Sequence, residues 1–267
     1  MSDYKFLVAT DMDYTLLLPG QPVSEANKRA VDAVYEAGGC VTLATGRTFY
    51  LTGSYARDLN IKVPLITSNG AAISDPVLFK DIESCNFPSS VLDALIALFT
   101  DYKVDATGYS SEGLYFFPNS SRRSFIEDYN ASVSSDIKVI ELDNLNHSFN
   151  KFLLIRPSAE LISQLKSIDE LEIVSSAKDF YDVMMKGTSK GIALKKIADL
   201  LNVNLTFALG DSENDQSLLE AANYSIAMKD SSITEYADYV TSKCEDDGFA
   251  KAVYEFILPL AAKYRGI

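Results

Sequence analysis

Acidic and hydroxyl side chains follow three short apolar runs that have the composition of buried strands. These runs occupy residues 6–9, 40–44 and 205–209. Ligands of open α/β sheets bind outside the carboxyl ends of the strands, near the point where the strand order reverses. We therefore expect one shared site, formed by the residues that follow the three runs: Asp11, Asp13, Thr45, Gly46, Arg47, Asp211, Asn214 and Asp215.

The acids at these positions predict a metal site. Asp11 and Asp13 are two residues apart, so in extended backbone their side chains can point to the same side. Asp211 would add a third carboxylate from a neighbouring strand. Three converging carboxylates repel one another unless they are protonated or bind a hard cation. Because the donors are oxygens, with no His or Cys among them, Mg²⁺ is the predicted cation.

A carboxylate nucleophile beside Mg²⁺ suits phosphoryl transfer. An aspartyl-phosphate intermediate would divide the hydrolysis of a phosphomonoester into two easier steps. The phosphoryl oxygens need fixed donors, which Thr45 and the amide of Gly46 can supply. Lys190 stands at the start of the predicted helix "SKGIALKKI" and adds a cation where the helix dipole is also positive.

The elements that must position these residues alternate between strand and helix at both ends of the 267-residue chain. The middle instead carries aromatic, alternating segments and two helical patterns, which is typical of an α+β unit. We expect an α/β fold with a doubly wound parallel (Rossmann-like) sheet. Residues 1–82 and 186–267 would form this discontinuous core domain, and residues 83–185 an inserted second domain.

Composition excludes several classes of protein. The net charge of −13, with no basic stripe, argues against a nucleic-acid or anionic-membrane partner. No apolar run is long enough to span a membrane, and we expect no signal peptide. Three widely spaced cysteines indicate reduced, mostly buried thiols in a cytoplasmic protein. The single histidine, His147, makes a histidine-based triad unfavourable and excludes a His-rich metal site. No obligate protein partner is evident.

Four motifs occur in order along the chain, and with them the sequence resembles the haloacid dehalogenase-like hydrolases, in particular the Cof-like phosphatases with a large α/β cap. The motifs are "DMDYT", "TGR", the Lys190 of "TSKG", and "GDSEND". "SNGA" and "EDDGFAKAV" also resemble this subfamily. The resemblance spans essentially the whole chain and implies that the inserted domain is the cap.

The resemblance implies a role for each matching residue. Asp11 would be the nucleophile and also a ligand of Mg²⁺. Asp13 would be the general acid and base, and would bind the metal through its backbone carbonyl. Asp211 would be the third protein ligand. Behind these ligands would lie Asp215 and Asn214, and the phosphate would be held by Thr45, Gly46 and Lys190.

Three positions leave alternatives open. Tyr14 stands where the family usually has glycine, so it either occupies a permissive turn or points its ring towards the cap. Arg47 has a substrate role or only pairs with an acid or caps a helix. Asn69 lines the site or simply makes a turn. Four cap residues, Tyr115, Arg122, Arg123 and Lys151, could reach the non-phosphate end of a substrate, but most of them are interpreted as ordinary surface residues.

The expected function is that of a Mg²⁺-dependent phosphatase of small phosphorylated metabolites, with sugar phosphates suggested by the resemblance alone. The presence of Asp13 favours a phosphatase or phosphomutase, because ATPases and dehalogenases of the family typically replace that acid. Two alternatives remain. One is a phosphomutase or phosphotransferase of the same fold. The other is a catalytically weak regulator that binds a phosphorylated ligand.

Overall fold

The computed structural model describes residues 4–118, 138–139, 147–177 and 179–264. The strands of these segments are β1 (Phe6–Thr10), β2 (Gly39–Leu43), β3 (Leu65–Thr67), β4 (Ala72–Asp75), β5 (Lys80–Ser84), β6 (Asp105–Ser110), β7 (Gly113–Phe117), β8 (Lys138–Val139), β9 (Lys151–Ile155), β10 (Leu171–Ala177), β11 (Phe180–Met185), β12 (Thr206–Gly210), β13 (Tyr224–Ala227) and β14 (Tyr239–Val240). The α-helices are α1 (Glu25–Glu36), α2 (Phe49–Asp58), α3 (Ser89–Asp101), α4 (Ala159–Lys166), α5 (Lys190–Leu201), α6 (Gln216–Ala221), α7 (Gly248–Ala252) and α8 (Leu258–Lys263), the last two joined by a π-helical segment, Val253–Ile257.

A five-stranded parallel sheet forms the centre of the core, in the order β14-β13-β12-β1-β2. Strands β1, β2 and β12 are buried along their whole length, as expected when helices cover both faces of a parallel sheet. The predicted α/β, Rossmann-like fold is confirmed. The chain adds β2 on one side of β1 and β12, β13 and β14 on the other. The strand order therefore reverses between β1 and β12, which places a ligand site at the carboxyl ends of these two strands.

The apolar run "VPLIT" at residues 63–67 also predicts a buried strand of the parallel sheet, and here the structure differs from the prediction. Strand β3 touches that sheet through a single parallel bridge, between Ile66 and Ala44, and otherwise pairs antiparallel with β4. The backbone after β3 explains the change of partner. Ser68, Asn69 and Gly70 have φ angles of 49°, 56° and 90°, and these three left-handed residues reverse the chain.

Helix α5 begins at Lys190, and its first turns are fixed by an N-cap and by packing against the core. The hydroxyl of Ser189 accepts a hydrogen bond from the Ile192 amide, at 3.2 Å, as an N-cap. The helical spacing of Ala193, Ile197, Leu200 and Leu201 predicts one apolar face; Ala193 and Ile197 are indeed buried against the core, whereas Leu200 lies exposed. The first turn of the helix is therefore held against the carboxyl edge of the sheet, and it delivers Lys190 there.

A second sheet has six strands in the order β10-β11-β9-β6-β7-β8, antiparallel except for the β7–β8 pair. Alternation along its strands gives the sheet two different faces. One face packs against α3 and α4 in a cluster that includes Phe99, Phe152 and Leu161. The other face is also apolar over much of its area and meets Leu51 of α2 in the core.

The described part of the chain contains no helix that is both long enough and apolar enough to cross a membrane. All three cysteines are free thiols, and burial raises the pKa of Cys40 and Cys244 to about 12. His147 lies on the second sheet's domain, where its Nδ1 is 2.9 Å from a carboxylate oxygen of Glu112 and its ring stacks on Tyr115. It is not among the residues that line the cavity described below.

Candidate active site

Three buried or half-buried carboxylates meet where the strand order reverses. Asp11 directly follows β1, and its amide donates to the Leu209 carbonyl of β12 at 3.0 Å. Asp211 directly follows β12, and Asp215 lies in the 3₁₀ turn that comes next. Asp11, Asp211 and Asp215 each offer one oxygen atom, and these oxygens lie within 4.8 Å of one another.

Lys190 supplies the cation that faces this acidic cluster. Its ammonium is 2.7 Å from Oδ1 of Asp11 and 2.5 Å from Oδ1 of Asp215, and its side chain is completely buried. Burial alone would lower the pKa of Lys190, but the two carboxylates outweigh it and hold that pKa above its usual value. The side chain is therefore charged at neutral pH.

Burial, together with repulsion between the carboxylates, raises the pKa values of two of the acids. Burial raises the pKa of Asp11 well above its ordinary value, and the charge of Asp215 adds to the effect while Lys190 opposes it. Burial and the charge of Asp215 raise the pKa of Asp211 to about 7. One cation is thus too little for these acids, and an additional cation would stabilise their ionised forms.

The donor set fits a hard divalent cation. Asp11, Asp211 and Asp215 offer only oxygen atoms, which are the ligands that Mg²⁺ prefers. Asp215 also anchors the loop, because its Oδ2 accepts the amides of Asp211 and Ser212 at 3.1 and 3.2 Å. A β-carbon added to Gly210 would come within 2.5 Å of the Asp215 side chain, so glycine is required for this close approach.

The loop after β2 carries the predicted phosphate donors. Thr45 is buried, and its hydroxyl accepts the Arg47 amide at 3.1 Å. Asn69 closes the loop from the other side, since its own amide donates to the Thr45 carbonyl at 2.9 Å. A β-carbon on Gly46 would lie 3.0 Å from Oδ1 of Asn69. Asn69 therefore does more than make a turn, because it packs against this loop.

Arg47 forms a two-pronged ion pair with Asp13. Its Nε lies 2.8 Å from Oδ2 of Asp13 and a terminal nitrogen 2.6 Å from Oδ1. Burial alone would lower the pKa of Arg47, but the Asp13 carboxylate reverses the effect and raises it. Of the two interpretations of Arg47, the geometry shows pairing with an acid. That acid is Asp13, the predicted proton donor.

Tyr14 occupies a turn and also borders the cavity, so the two interpretations of this residue do not exclude each other. Its φ of 61° lies in the left-handed region that glycine adopts more easily. The surrounding turn is tight, since the carbonyl of Met12 accepts the amides of Leu16 and Leu17, each at 2.9 Å. The tyrosine ring stays 56% exposed and borders the cavity.

A cavity of about 600 Å³ opens above these residues, between the core and the second sheet. Its floor is polar, and its walls combine the apolar side chains of Leu51, Leu153 and Phe180 with polar residues of the second sheet: Tyr109, Lys151, Ser176 and Asp182. Of the ten predicted site residues, seven line this cavity: Asp11, Asp13, Thr45, Gly46, Arg47, Asp211 and Asn214. The other three, Asn69, Lys190 and Asp215, are buried beside it and hydrogen-bond to cavity residues.

Two residues that the sequence suggested were surface residues are buried. Tyr115 is 2% exposed within the aromatic cluster under α3 and α4, so it cannot face a substrate. Lys151 is also 2% exposed, lines the cavity and forms an ion pair with Asp182 at 2.8 Å. Alternation along β9 is the signal that could have placed Lys151 inward, on the same face as Leu153. Arg122 and Arg123 lie outside the described residues.

The chain is similar to a family of hydrolases and to several phosphatases. The family model of the haloacid dehalogenase-like hydrolases matches residues 8–253. The 5-amino-6-(5-phospho-D-ribitylamino)uracil phosphatase YcsE of Bacillus subtilis is 27% identical over 259 residues, which cover 94% of this chain and 96% of that protein. Phosphatase YwpJ of the same organism is 28% identical, with 91% and 97% covered.

Among solved structures, the subclass IIB sugar phosphatase BT4131 superimposes with a TM-score of 0.83 at 23% identity, covering 94% of this chain and 99% of that one. At this identity the similarity shows the fold alone. The chain belongs to the haloacid dehalogenase-like hydrolases, as the family model over most of its length shows. The predicted family and the enzyme class, phosphatase, are confirmed.

Proposed function

We propose that this chain is a Mg²⁺-dependent phosphomonoesterase that works through an aspartyl-phosphate on Asp11. The observation that carries the proposal is the position of Asp11. Its carboxylate contacts the cation of Lys190, lies within 4.8 Å of carboxylate oxygens of Asp211 and Asp215, and lines the cavity that also holds the loop of Thr45 and Gly46. A nucleophile, phosphate donors and metal ligands therefore share one space.

In the proposed first step, an oxygen of Asp11 attacks the phosphorus, and the bond from phosphorus to the leaving-group oxygen breaks. Asp13 gives its proton to that oxygen, and the alcohol departs. In the second step Asp13 takes a proton from water, the water oxygen attacks the phosphorus, and the Asp11 carboxylate is released with inorganic phosphate. The two steps together consume one water molecule and regenerate the enzyme.

The other residues of the floor bind and orient the phosphoryl group. Lys190, the Thr45 hydroxyl and the Gly46 amide would hold its oxygens. Mg²⁺ would be held by Asp11 and Asp211, with the Asp13 carbonyl and Asp215 as further oxygen donors, and would supply neutralising charge.

Arg47 has a separate part in this scheme. It engages both oxygens of the Asp13 carboxylate in the present arrangement. Asp13 must therefore leave this ion pair before it can carry a proton to the leaving group.

We further propose that residues 1–82 and 186–267 form the catalytic core and residues 83–185 the cap. Strand β5, at Lys80–Ser84, pairs with β4 and extends across this boundary, so it would be the connection between the two units. A cap above the floor would exclude water from the phosphoryl group and select the leaving group.

The size and lining of the cavity indicate which class of substrate would fit. A cavity of about 600 Å³ suits a small phosphorylated metabolite. Leu51, Leu153 and Phe180 offer no hydrogen bonds, so hydroxyl groups pressed against them would lose their hydration without compensation. This apolar part of the wall therefore favours a leaving group with an apolar or ring face. One relative is named as a phosphatase of a ribitylaminouracil, which has a ring, and one structural neighbour as a sugar phosphatase.

The test is phosphate release from a panel of small phosphomonoesters, each with Mg²⁺ and with EDTA, by the wild-type protein and by Asp11→Asn. We expect Mg²⁺-dependent release by the wild type only, with ring-bearing substrates ahead of polyol phosphates. The proposal is wrong if the folded wild type releases no phosphate from any of them. Transfer to an added sugar alcohol in preference to water would instead identify a phosphotransferase, and ligand binding without turnover a regulator.

A further inference from the structure

The second sheet places one buried ion pair directly over the loop after β2, which contains Thr45, Gly46 and Arg47 and is called the phosphate loop below. Lys151 on β9 and Asp182 on β11 lie on neighbouring antiparallel strands, and their side chains project from the same face. The Lys151 ammonium is 2.8 Å from Oδ1 of Asp182, and each side chain is only 2% exposed. The ring of Tyr109 lies 3.9 Å from the same ammonium.

Each member of this pair also binds a different loop of the core. Nζ of Lys151 donates to the Gly46 carbonyl at 2.8 Å. Oδ2 of Asp182 accepts the side-chain amide of Asn69 at 2.7 Å. The second sheet thus makes charge-assisted hydrogen bonds to the loop after β2 and to the turn after β3; the bond to Asn69 is buried and the bond to Gly46 partly buried.

The contact with Gly46 fixes one peptide group of the phosphate loop from both ends. The carbonyl of the Gly46–Arg47 peptide accepts from Lys151, and the amide of the same peptide donates to the Thr45 hydroxyl at 3.1 Å. Rotation of this peptide would break both bonds. Lys151 therefore restrains the Thr45 hydroxyl, although it does not touch that group.

The contact with Asn69 extends to the loop that carries the metal ligands. Oδ1 of Asn69 accepts from the side-chain amide of Asn214 at 3.3 Å, and Oδ1 of Asn214 accepts the Ser212 hydroxyl at 2.8 Å. Ser212 directly follows Asp211. A chain of hydrogen bonds therefore runs from Asp182 through two asparagines to the end of β12.

Stability does not explain a buried pair of this kind. Removing two charges from water is costly, and well-packed apolar residues often replace such a pair with no loss of stability. We propose that Lys151 and Asp182 are positioning residues, which align the phosphate loop and the Asn69 turn when the second sheet covers the site. This inference rests on the proposed function, since it assigns a role in the same reaction.

The arrangement would couple catalysis to the covered state. If the second sheet lifted, Lys151 and Asp182 would return to water, and the Gly46 carbonyl and the Asn69 amide would lose these partners. The phosphate loop would then lack its restraint. Its donors would be aligned only while the reacting group is shielded from water, as a preorganised site requires.

The test is the double variant Lys151→Met/Asp182→Asn, which removes both charges and leaves an oxygen at position 182 to accept from Asn69. It avoids the buried unpaired charge that would make either single variant prone to unfold. We expect a thermal midpoint close to that of the wild type and a kcat lower by roughly 10- to 100-fold, as for a small misplacement of catalytic groups. Amide hydrogen exchange of peptides that span residues 45–48 should become faster.

Thr107→Val is the matched control. Thr107 is a buried residue of β6 in the same sheet, and its hydroxyl has no hydrogen-bond partner among the described residues, so kcat and exchange at 45–48 should stay at wild-type values. A double variant with wild-type kcat and unchanged exchange at 45–48 would overturn the proposal, as would a change confined to KM. Hydrogen exchange needs no substrate. It therefore tests the positioning role even if the wild type releases no phosphate and the proposed function fails.

Discussion

Replacing Lys190 with methionine tests whether one buried cation holds the acidic cluster together. The lysine side chain is completely buried between Asp11 and Asp215, at 2.7 and 2.5 Å. Methionine has a similar length and no charge. The variant would leave two carboxylates facing each other, with Asp211 close by, and nothing but protonation or a bound metal to relieve the repulsion.

Two estimates give a similar size for the loss of stability. Removing one partner of a buried ion pair costs about 3–5 kcal/mol. Alternatively, one carboxyl with an ordinary pKa of 3.8 takes up a proton at pH 7, which costs about 4 kcal/mol. In a protein of this size, about 4 kcal/mol corresponds to a fall of roughly 8–16 °C in the thermal midpoint.

The assay is thermal unfolding of the wild type and of Lys190→Met, each in EDTA and in Mg²⁺. We expect the full fall in the thermal midpoint in EDTA and a smaller fall in Mg²⁺, because the metal neutralises the same carboxylates. Lys196→Met is the control on the same helix, since Lys196 is half exposed and its ion pair with Glu83 is worth at most about 1 kcal/mol. The reasoning would be refuted if the free energy of unfolding of Lys190→Met in EDTA lay within about 1 kcal/mol of the wild-type value. It would also be refuted if Mg²⁺ stabilised the variant no more than it stabilises the wild type.

Three further variants test other residues of the site. Asp11→Asn should abolish phosphate release, because an amide is not nucleophilic, while circular dichroism shows an unchanged fold; residual turnover near the wild-type rate would contradict a covalent step. Asp13→Asn should lower kcat by roughly 10²- to 10⁴-fold for alkyl phosphates and much less for p-nitrophenyl phosphate, whose leaving group needs no proton; equal losses would show that Asp13 is not the acid. Tyr14→Gly should change the free energy of unfolding by less than about 1 kcal/mol, because glycine relieves the left-handed φ but frees the unfolded chain. The same variant should reorder the substrate panel, since it removes a ring from the cavity; an unchanged order would mean that Tyr14 does not contact the leaving group.

The gathering of the site residues could be predicted because it follows from the topology of a parallel sheet. All strands of such a sheet end at the same edge, so acids placed directly after β1 and β12 had to meet. This reasoning needs only the strands and their ends, both of which are visible in the sequence. Lys190 could be placed in the same way. The helix that leads into a parallel strand begins at the edge where the strands end, and Lys190 is the first residue of the helix that leads into β12.

Other features depend on partners that are distant in sequence. The departure of β3 from the parallel sheet depends on the left-handed conformations of Ser68 and Asn69. Asn69 is compatible with a turn, but neither residue indicates that β3 pairs with β4. The sequence predicts an acid partner for Arg47 only as one of two interpretations. It does not show which acid the arginine faces, so the ion pair with Asp13 could not be predicted.

Lys151 shows why a correct secondary structure is not enough to find such a residue. The pattern "KFLLI" indicated a strand, and alternation alone would have put Lys151 on the same face as Leu153. A lysine at the start of a strand is usually solvated, so surface exposure was the reasonable prediction. It was wrong because Asp182, 31 positions further along, supplies a counter-charge on the adjacent strand, and the Gly46 carbonyl supplies an acceptor from the core. A charged residue can be buried only where such partners converge, and the three partners come together only when the second sheet lies on the first.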